Sequence, residues 1–172
     1  MNICTRHLTI SRVERGLQPV EVQAIFNSTP DFVCGSEGRE DRSAYPIEEV
    51  SRCPLLIGQA RENQPFLALK LRGSGQLIGI ADLLTPHPRG DYAALGLLIL
   101  HRAWQGKGLG REAASAIENV LCFEGWTEVE VVVQRVRLRS RRFWERRGYR
   151  LTAEGTKRAG VLDLAQAASL AK

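Results

Sequence analysis

The stretch from Ala93 to Cys122 constrains the fold of this chain more than any other part of it. It opens with a continuous apolar run, Ala93–Leu100, which is typical of a buried strand because turn and charge signals follow it. The glycines that come next are Gly106, Gly108 and Gly110. The apolar residues then recur at helical spacing, at Leu109, Ala113, Ile117, Val120 and Leu121. The stretch therefore predicts a strand, a glycine loop and a helix, in that order.

This order favours the binding of a negatively charged group. The first turn of a helix has amide N–H groups without intrahelical partners, and the helix dipole adds partial positive charge there. Glycines let a ligand approach the main chain without meeting a Cβ atom. Lys107 and Arg111 add positive charge beside the loop. A turn that needs glycine only for its geometry explains less of this pattern, so we expect the loop to hold a phosphate or pyrophosphate.

Two common phosphate-binding motifs do not match. No Gly-Lys in the loop is followed by Ser or Thr, which excludes the P-loop pattern, and Arg111 stands where the dinucleotide fingerprint has its third glycine. The segment Gln105–Gly110 instead resembles the Q/R-x-x-G-x-G/A loop of the GNAT superfamily of acyl-CoA-dependent N-acetyltransferases. A second segment, Arg137–Tyr149, resembles that family's N-x-x-A/S-x-x-F-Y/W-x-x-x-G-F/Y block. The resemblance extends from about Leu77 to Tyr149.

The resemblance implies acetyl-CoA as the acyl-donor co-substrate, with its pyrophosphate in the glycine loop and its pantetheine arm beside the preceding strand. Main-chain groups of that strand would then polarise the thioester carbonyl, and fixed backbone donors of this kind are a large catalytic contribution. No metal site is expected. The coenzyme-binding residues implied in this way are Leu98, Ile99, Leu100, Gln105, Gly106, Lys107, Gly108, Leu109, Gly110, Arg111 and Ser140.

Attack by an amine requires a base, because an alkyl ammonium has a pKa near ~10.4. Asp82 and Asp91 are the candidates, and Asp82 is the one we predict to be catalytic. A carboxylate in the apolar strand Ile78–Leu84 is unexpected unless it points into a wet cleft or onto a solvated face. An exposed or structurally paired Asp82 is therefore the alternative. Glu112 and Glu118 are interpreted as solvent-facing residues of the helix.

The second segment departs from the family pattern at two positions. Arg137 replaces the usual Asn, and Trp144 replaces a Tyr that in many members can protonate the leaving thiolate. Since an indole N–H is not a useful acid, the thiolate either leaves unassisted, with a pKa near ~8.5, or receives a proton from Tyr149 or Ser140. For Phe143 we expect a core-packing role.

The remaining strands and helices complete the expected fold. It is of the α/β class (an α+β mixed sheet), with a GNAT-like, mostly antiparallel central sheet and helices on both faces. The predicted strands are Leu8–Val13, Phe66–Leu71, Gln76–Leu84, Asp91–Leu100, Thr127–Val133 and a closing pair, Tyr149–Ala153 and Val161–Leu164, around the connection Gly155–Gly160. The predicted helices are Pro19–Asn27, the helix from Leu109 to near Gly125, and Ser140–Arg147. Asp31–Ala44 is either a mobile loop over a substrate site or a plain surface loop.

Composition bounds the class of protein. The 172 residues, 44% apolar and 25% charged, suit a single globular domain spanning 1–172, which the resemblance implies is an acetyltransferase domain. No apolar run approaches the ~18–20 residues of a membrane span, and the N-terminus lacks a segment of signal type. The four cysteines are scattered, as in a reduced, cytosolic protein. We therefore expect a cytoplasmic protein with no membrane partner.

An arginine-rich stripe between Arg135 and Arg150 dominates the net charge of +5. Such a stripe is a feature of nucleic-acid binding. No aromatic ladder, zinc knuckle or helix-turn-helix accompanies it, so nucleic acid is a disfavoured partner, and the arginines also suit the phosphates of coenzyme A.

The sequence thus favours an N-acetyltransferase that moves an acetyl group from acetyl-CoA to a primary amine by direct attack in a ternary complex. The acceptor is a small-molecule or peptide amine whose identity stays open. The alternatives are a non-catalytic acyl-CoA-binding module and, less favoured, a basic nucleic-acid-binding protein. A homodimer is compatible with the sequence.

Overall fold

A computed structural model describes residues 2–13, 19–29, 66–85, 92–134, 138–151 and 157–163 of the chain. The loop expected over residues 31–44 lies outside these ranges, as do Asp91 and Arg137. The helices are α1 (Pro19–Asn27), α2 (Leu109–Phe123) and α3 (Leu138–Glu145), with a turn of 3-10 helix at Arg102–Trp104. The strands are β1 (Asn2–Cys4), β2 (Leu8–Arg12), β3 (Phe66–Leu71), β4 (Leu77–Leu84), β5 (Ala93–Leu100), β6 (Glu128–Gln134), β7 (Arg150–Leu151) and β8 (Lys157–Asp163).

The strands in the described ranges form one sheet in the order β1-β2-β3-β4-β5-β6-β8-β7. Neighbouring strands are antiparallel except β5 and β6, which run parallel because the α2 crossover joins them. The predicted mixed, mostly antiparallel sheet is therefore confirmed.

Two details differ from the expectation. The edge strand β1 was not predicted, since three residues are too short for a periodic pattern. The connection expected over Gly155–Gly160 is also wrong in part, because β8 already begins at Lys157. That strand pairs with β6 along its whole length, and ladder hydrogen bonds offset the polar character of its first residues.

Helices cover both faces of the sheet, as predicted. Strand register places Leu67, Ala81 and Leu98 on one face and Ala68, Ile80 and Ile99 on the other. The first face carries the main core, to which α2 and the end of α3 contribute Ala113, Ile117, Leu121, Trp144 and Tyr149. On the other face, α1 lies against β4 and buries Val22, Ile25 and Phe26.

Strand β5 changes its hydrogen-bonding partners halfway along. Against β4, Asp82 pairs with Leu97 while Leu83 pairs with Leu95, so Gly96 is an extra residue, a β-bulge. Against β6, the described pairing is limited to the first three residues, 93–95. From Gly96 onward β5 therefore leaves β6, and one side of its main chain has no described pairing with that strand.

The start of β4 shows how closely the backbones approach at the far end of β5. A Cβ atom on Gly79 would lie 2.6 Å from the carbonyl oxygen of Ile99 and 2.5 Å from a methyl carbon of Leu100. Because backbone cannot move aside as a flexible side chain can, the sheet requires glycine at this position.

Candidate active site

The glycine loop between β5 and α2 depends on a left-handed backbone. Gly106 has φ 74° and Gly108, which precedes the first residue of α2, has φ 83°. Side chains are disfavoured at such angles. A Cβ atom at either position would meet nothing within 4 Å. The loop therefore needs glycine for its conformation and presents an open surface.

Most of the amides in this loop have no partner in the described chain. Gln105 N–H donates to the carbonyl oxygen of Arg102 at 3.2 Å, and Glu112 N–H donates to that of Gly108 at 3.0 Å. Between them, no amide from Gly106 to Arg111 donates to an acceptor that the structure describes. The start of α2 thus presents unpaired donors together with the positive end of the helix dipole, which is an arrangement that binds anions.

Gln105 differs from the other loop residues of the expected coenzyme-binding set. Its amide is already bound, and its side-chain amide donates to the carbonyl oxygen of Leu100 at 2.8 Å. The residue therefore ties the loop to the end of β5. The adjacent cation, Lys107, is exposed, with its Nζ 4.7 Å from the centre of the Trp104 ring.

Other members of that set contribute to the walls of the loop. Leu109 is buried in the core and anchors the start of α2. Gly110 lies between β5 and α3, because a Cβ there would be 3.6 Å from Leu100 and 3.8 Å from Phe143. Arg111 is exposed.

The strand residues and Ser140 complete the set. Leu98 is half-buried on the α2 face, whereas Ile99 is buried on the opposite face and Leu100 is buried beside Gly110. Ser140 is half-buried within α3. The structure thus brings the loop together with the half of β5 that pairs with β4 but not with β6. Coenzyme binding by these residues stays a prediction.

Asp82 lies on the face of the sheet opposite α2, at the bulge. It is half-buried, and a Cβ on Gly96 would lie 3.2 Å from its Oδ2 atom, so the carboxylate is directed at the point where β5 leaves β6. A catalytic role for Asp82 stays a prediction.

A second carboxylate on this face, Glu130, is not singled out by the sequence analysis. Register through Ala94 puts Glu130 on the same face as Leu84 and Asp82, and it is buried. The signal was present, because Val129, Val131 and Val133 alternate with it and fill the opposite face.

The segment around α3 is a packing block. Trp144 is buried, with its ring 4.8 Å from that of Phe143 and 4.9 Å from that of Tyr149, both in edge-on contacts. Phe143 is partly buried against the core, as expected.

The expectation that Glu118 faces solvent is wrong. It is 8% exposed and accepts hydrogen bonds from the guanidinium of Arg147 and from the Tyr149 hydroxyl, the latter at 3.0 Å. Burial and the neighbouring Glu118 carboxylate raise the pKa of the Tyr149 phenol well above its ordinary value, against the smaller opposing effect of Arg147. Tyr149 is therefore committed to this network and is poorly suited to protonate a leaving thiolate.

Glu112 is also tied down rather than fully solvated. It accepts hydrogen bonds from the Thr5 hydroxyl and, at 2.7 Å, from the amide of His7, whose Nδ1 lies 2.8 Å from the other carboxylate oxygen. Burial by itself would raise the pKa of Glu112, but these hydrogen bonds outweigh it and hold the pKa below its usual value. The turn between β1 and β2 is thereby fixed to the first turns of α2.

Three further observations concern metals, membranes and cysteines. Within the described ranges, no group of three or more His, Cys, Asp or Glu side chains could hold a metal ion. None of the helices in those ranges is both long and apolar enough to cross a membrane. Cys4 and Cys122 are free and exposed.

Comparison with known structures gives the same architecture. An acetyltransferase from Thermus thermophilus aligns with a TM-score of 0.72 at 21% identity, covering 95% of this chain and 99% of that one. An acetyltransferase from Agrobacterium tumefaciens aligns at 0.67 and 19%, covering 94% of each chain. The PaiA N-acetyltransferase of Thermoplasma acidophilum, solved in complex with coenzyme A, aligns at 0.62 and 16%, covering 91% and 98%.

Sequence comparison is more specific. No curated protein is similar enough in sequence to count as a match. The model of the acetyltransferase (GNAT) family, however, matches residues 31–149, which is more than half of the chain and includes β5, the glycine loop, α2 and α3. The chain therefore belongs to the GNAT acetyltransferase family.

Proposed function

We propose that the protein transfers an acetyl group from acetyl-CoA to a primary amine by direct attack in a ternary complex. The observation that carries the proposal is the row of amides from Gly106 to Arg111, which have no described partner and follow directly on the half of β5 that has left β6. An anion held by the loop is then adjacent to an unpaired strand edge. A ligand in which a diphosphate continues into an amide-rich arm fits both the loop and the edge of β5.

The diphosphate would be held mainly by main-chain donors. The amides of the loop and the dipole of α2 supply directional and electrostatic attraction, and Lys107 adds a mobile charge at its rim. The coenzyme A complex of the PaiA N-acetyltransferase supports this class of donor. When bound, the thioester supplies the acyl group.

The second half of β5 would orient the acyl end. Leu98, Ile99 and Leu100 belong to the part of β5 that has left the β6 ladder, and their main-chain groups point alternately toward β4 and toward the side without β6 pairing. N–H groups there can bond pantetheine and stabilise the negative charge that develops on a thioester carbonyl. This role needs no particular side chain, which agrees with three apolar residues at these positions.

Asp82 would act as the general base. Its carboxylate is directed at the bulge where β5 leaves β6, and in this proposal it removes a proton from the acceptor ammonium directly or through water. A free lone pair on the amine nitrogen is then available for attack.

The leaving thiolate would depart without a proton from the block around α3. Trp144 is packed in the core and the Tyr149 hydroxyl donates to Glu118. A thiol with a pKa near ~8.5 is a tolerable leaving group in its ionised form. Ser140 is the remaining hydroxyl of this segment.

The arginine stripe gives weaker support to a nucleic-acid role than its composition indicates. Arg147 is taken up by Glu118, and Arg141 donates to Glu145 at 2.7 Å one turn along α3. Part of the charge is therefore neutralised within the protein.

The test is a panel of primary amines that includes small amines, amino acids and a peptide with a free N-terminus. Each is incubated with the protein and acetyl-CoA while free thiol is followed. We expect thiol release that depends on the presence of an amine. Binding of acetyl-CoA without release across the panel would favour the acyl-CoA-binding module, and salt-sensitive retention on DNA that acetyl-CoA does not displace would favour nucleic acid.

A further inference from the structure

The guanidinium of Arg147 reaches from the turn after α3 onto one side of α2. Its Nε lies 3.3 Å from Glu118 Oε1, and its Nη2 donates to the other carboxylate oxygen. Nη2 also donates to Ser115 Oγ at 3.1 Å, while Nη1 donates to the carbonyl oxygen of Arg111 at 3.4 Å. One side chain thus bridges three acceptor residues along α2, from its first turn to its third.

The ion pair at the centre of this bridge is largely buried. The side chains of Arg147 and Glu118 are 12% and 10% exposed. A carboxylate buried to this degree is costly unless charged or polar donors satisfy it. The hydroxyl of Tyr149 is a further donor to it. Spacings of four and three residues place Arg111, Ser115 and Glu118 on one side of the helix, where a single planar guanidinium can reach them.

The bridge connects the start of α2, which follows the glycine loop, with α3. Arg111 is the last residue of the loop segment, and its carbonyl is an acceptor for Arg147. On the α3 side, the guanidinium carbon lies 6.0 Å from the centre of the Phe143 ring, and Phe143 is the side chain that a Cβ on Gly110 would meet at 3.8 Å. Arg147 therefore lies against both the start of α2 and α3.

We infer that Arg147 is a positioning residue for coenzyme binding: together with Glu118 it holds the first turn of α2 against α3 and preorganises the loop amides for a diphosphate. This inference rests on the proposed function. A loop that becomes ordered only on binding loses affinity, because the ordering opposes association. Lysine cannot replace the planar fork, since its ammonium is a compact point charge.

The test removes the whole network at once, so that an effect on the positioning of the loop can be distinguished from a loss of folding stability. R147M alone would leave Glu118 buried and unpaired, which can unfold the chain. E118L/R147M/Y149F removes both charges and the hydroxyl that depends on them, and replacements of this kind often leave stability unchanged or raise it. R146M is the matched control, because it removes the same charge from the exposed neighbouring position. For each protein, the affinity for coenzyme A is measured by calorimetry and stability by the urea midpoint.

We expect the triple variant to keep a midpoint near that of the wild type and to bind coenzyme A about tenfold more weakly, with R146M within about twofold of the wild type. R147K keeps the charge that neutralises Glu118 but not the fork, and we expect it to lose about fivefold. Wild-type affinity in the triple variant, or in R147K if the triple variant does not fold, would overturn the inference. A wild-type chain that does not bind coenzyme A would overturn the proposed function itself, so the two failures are distinguishable.

Discussion

The glycine loop ahead of α2 and the sheet face that carries Asp82 differ in the groups they present, which are main-chain groups in the loop and side chains on the sheet. The loop presents main-chain amides from Gly106 to Arg111, and its side chains mostly point elsewhere: Leu109 into the core, Lys107 toward Trp104. The other face presents side chains, Asp82 at the bulge and Glu130 two strands away from β4.

This difference has a consequence for substitution. A site made of backbone is sensitive to changes that alter backbone conformation or bring charge to it, and insensitive to most changes of side chain. A site made of carboxylates depends on the identity of each residue. The following predictions test that distinction.

The largest effect is expected at Gly108. Gly108→Asp places a negative charge beside the proposed diphosphate site, where repulsion of about 4 kcal/mol at ~4 Å corresponds to roughly a thousandfold loss of coenzyme A affinity. Calorimetry measures it. Gly108→Asn is the isosteric control, since Asn tolerates a left-handed backbone and carries no charge. Gly73→Asp, at φ 97° in the β3–β4 hairpin and with nothing within 4 Å of its Cβ, controls for backbone strain. Equal affinities for the Asp and Asn variants at position 108 would contradict anion binding there.

The next effect concerns the base. Asp82→Asn is expected to lower kcat by roughly a hundredfold and to remove the rise of kcat with pH that a general base produces, with little change in coenzyme A affinity. Rates over a pH series, with the amine that gives the fastest thiol release, measure this. Glu130→Gln is the comparison on the same face. If it removes the pH dependence while Asp82→Asn retains it, Glu130 rather than Asp82 is the base.

A smaller effect is expected for a side chain in the loop. Lys107→Ala should weaken coenzyme A binding by only about threefold, because an exposed charge is screened by salt. The loss should shrink further when the titration is repeated at high salt. A loss as large as that of Gly108→Asp would show that the loop binds through its side chain and not through its backbone.

The smallest effect concerns stability. Because the pKa of Glu112 is held below its usual value, the stabilisation from its hydrogen bonds with Thr5 and His7 is present above the ordinary carboxyl pKa and is lost as pH falls through the lowered one. We expect Glu112→Gln to cost less than about 1 kcal/mol at neutral pH. Urea unfolding at neutral and acidic pH measures it, and the difference between wild type and variant should vanish in acid. A difference that grows in acid would contradict this assignment.

Much of the fold follows from local patterns. The switch from an apolar run to helical spacing predicts β5, the loop and α2, and α1 lies over Pro19–Asn27 as predicted. The bulge at Gly96 could not be predicted, because it arises from the register of β5 against β4. The beginning of β8 could not either, since pairing with β6 rather than its own polar residues makes it a strand.

The candidate site divides in the same way. Unpaired amides at a helix start are a property of backbone geometry, so the sequence pattern indicates them directly. The burial of Glu118 depends on Arg147, which is 29 residues further along the chain, and a glutamate on a helix is interpreted as solvent-facing until that partner is known. The sequence pattern also does not indicate that the Gln105 amide is already bound. This hydrogen bond depends on the 3-10 turn, in which the carbonyl oxygen of Arg102 accepts it.

The most direct test of the central claim is an NMR titration of the 15N-labelled protein with coenzyme A, following each main-chain amide. If the loop holds the diphosphate, the amide signals of Gly106, Gly108, Leu109 and Gly110 should shift strongly, while that of Gln105, already bound to Arg102, should shift less. Saturable binding with these four loop amides unmoved would contradict the account.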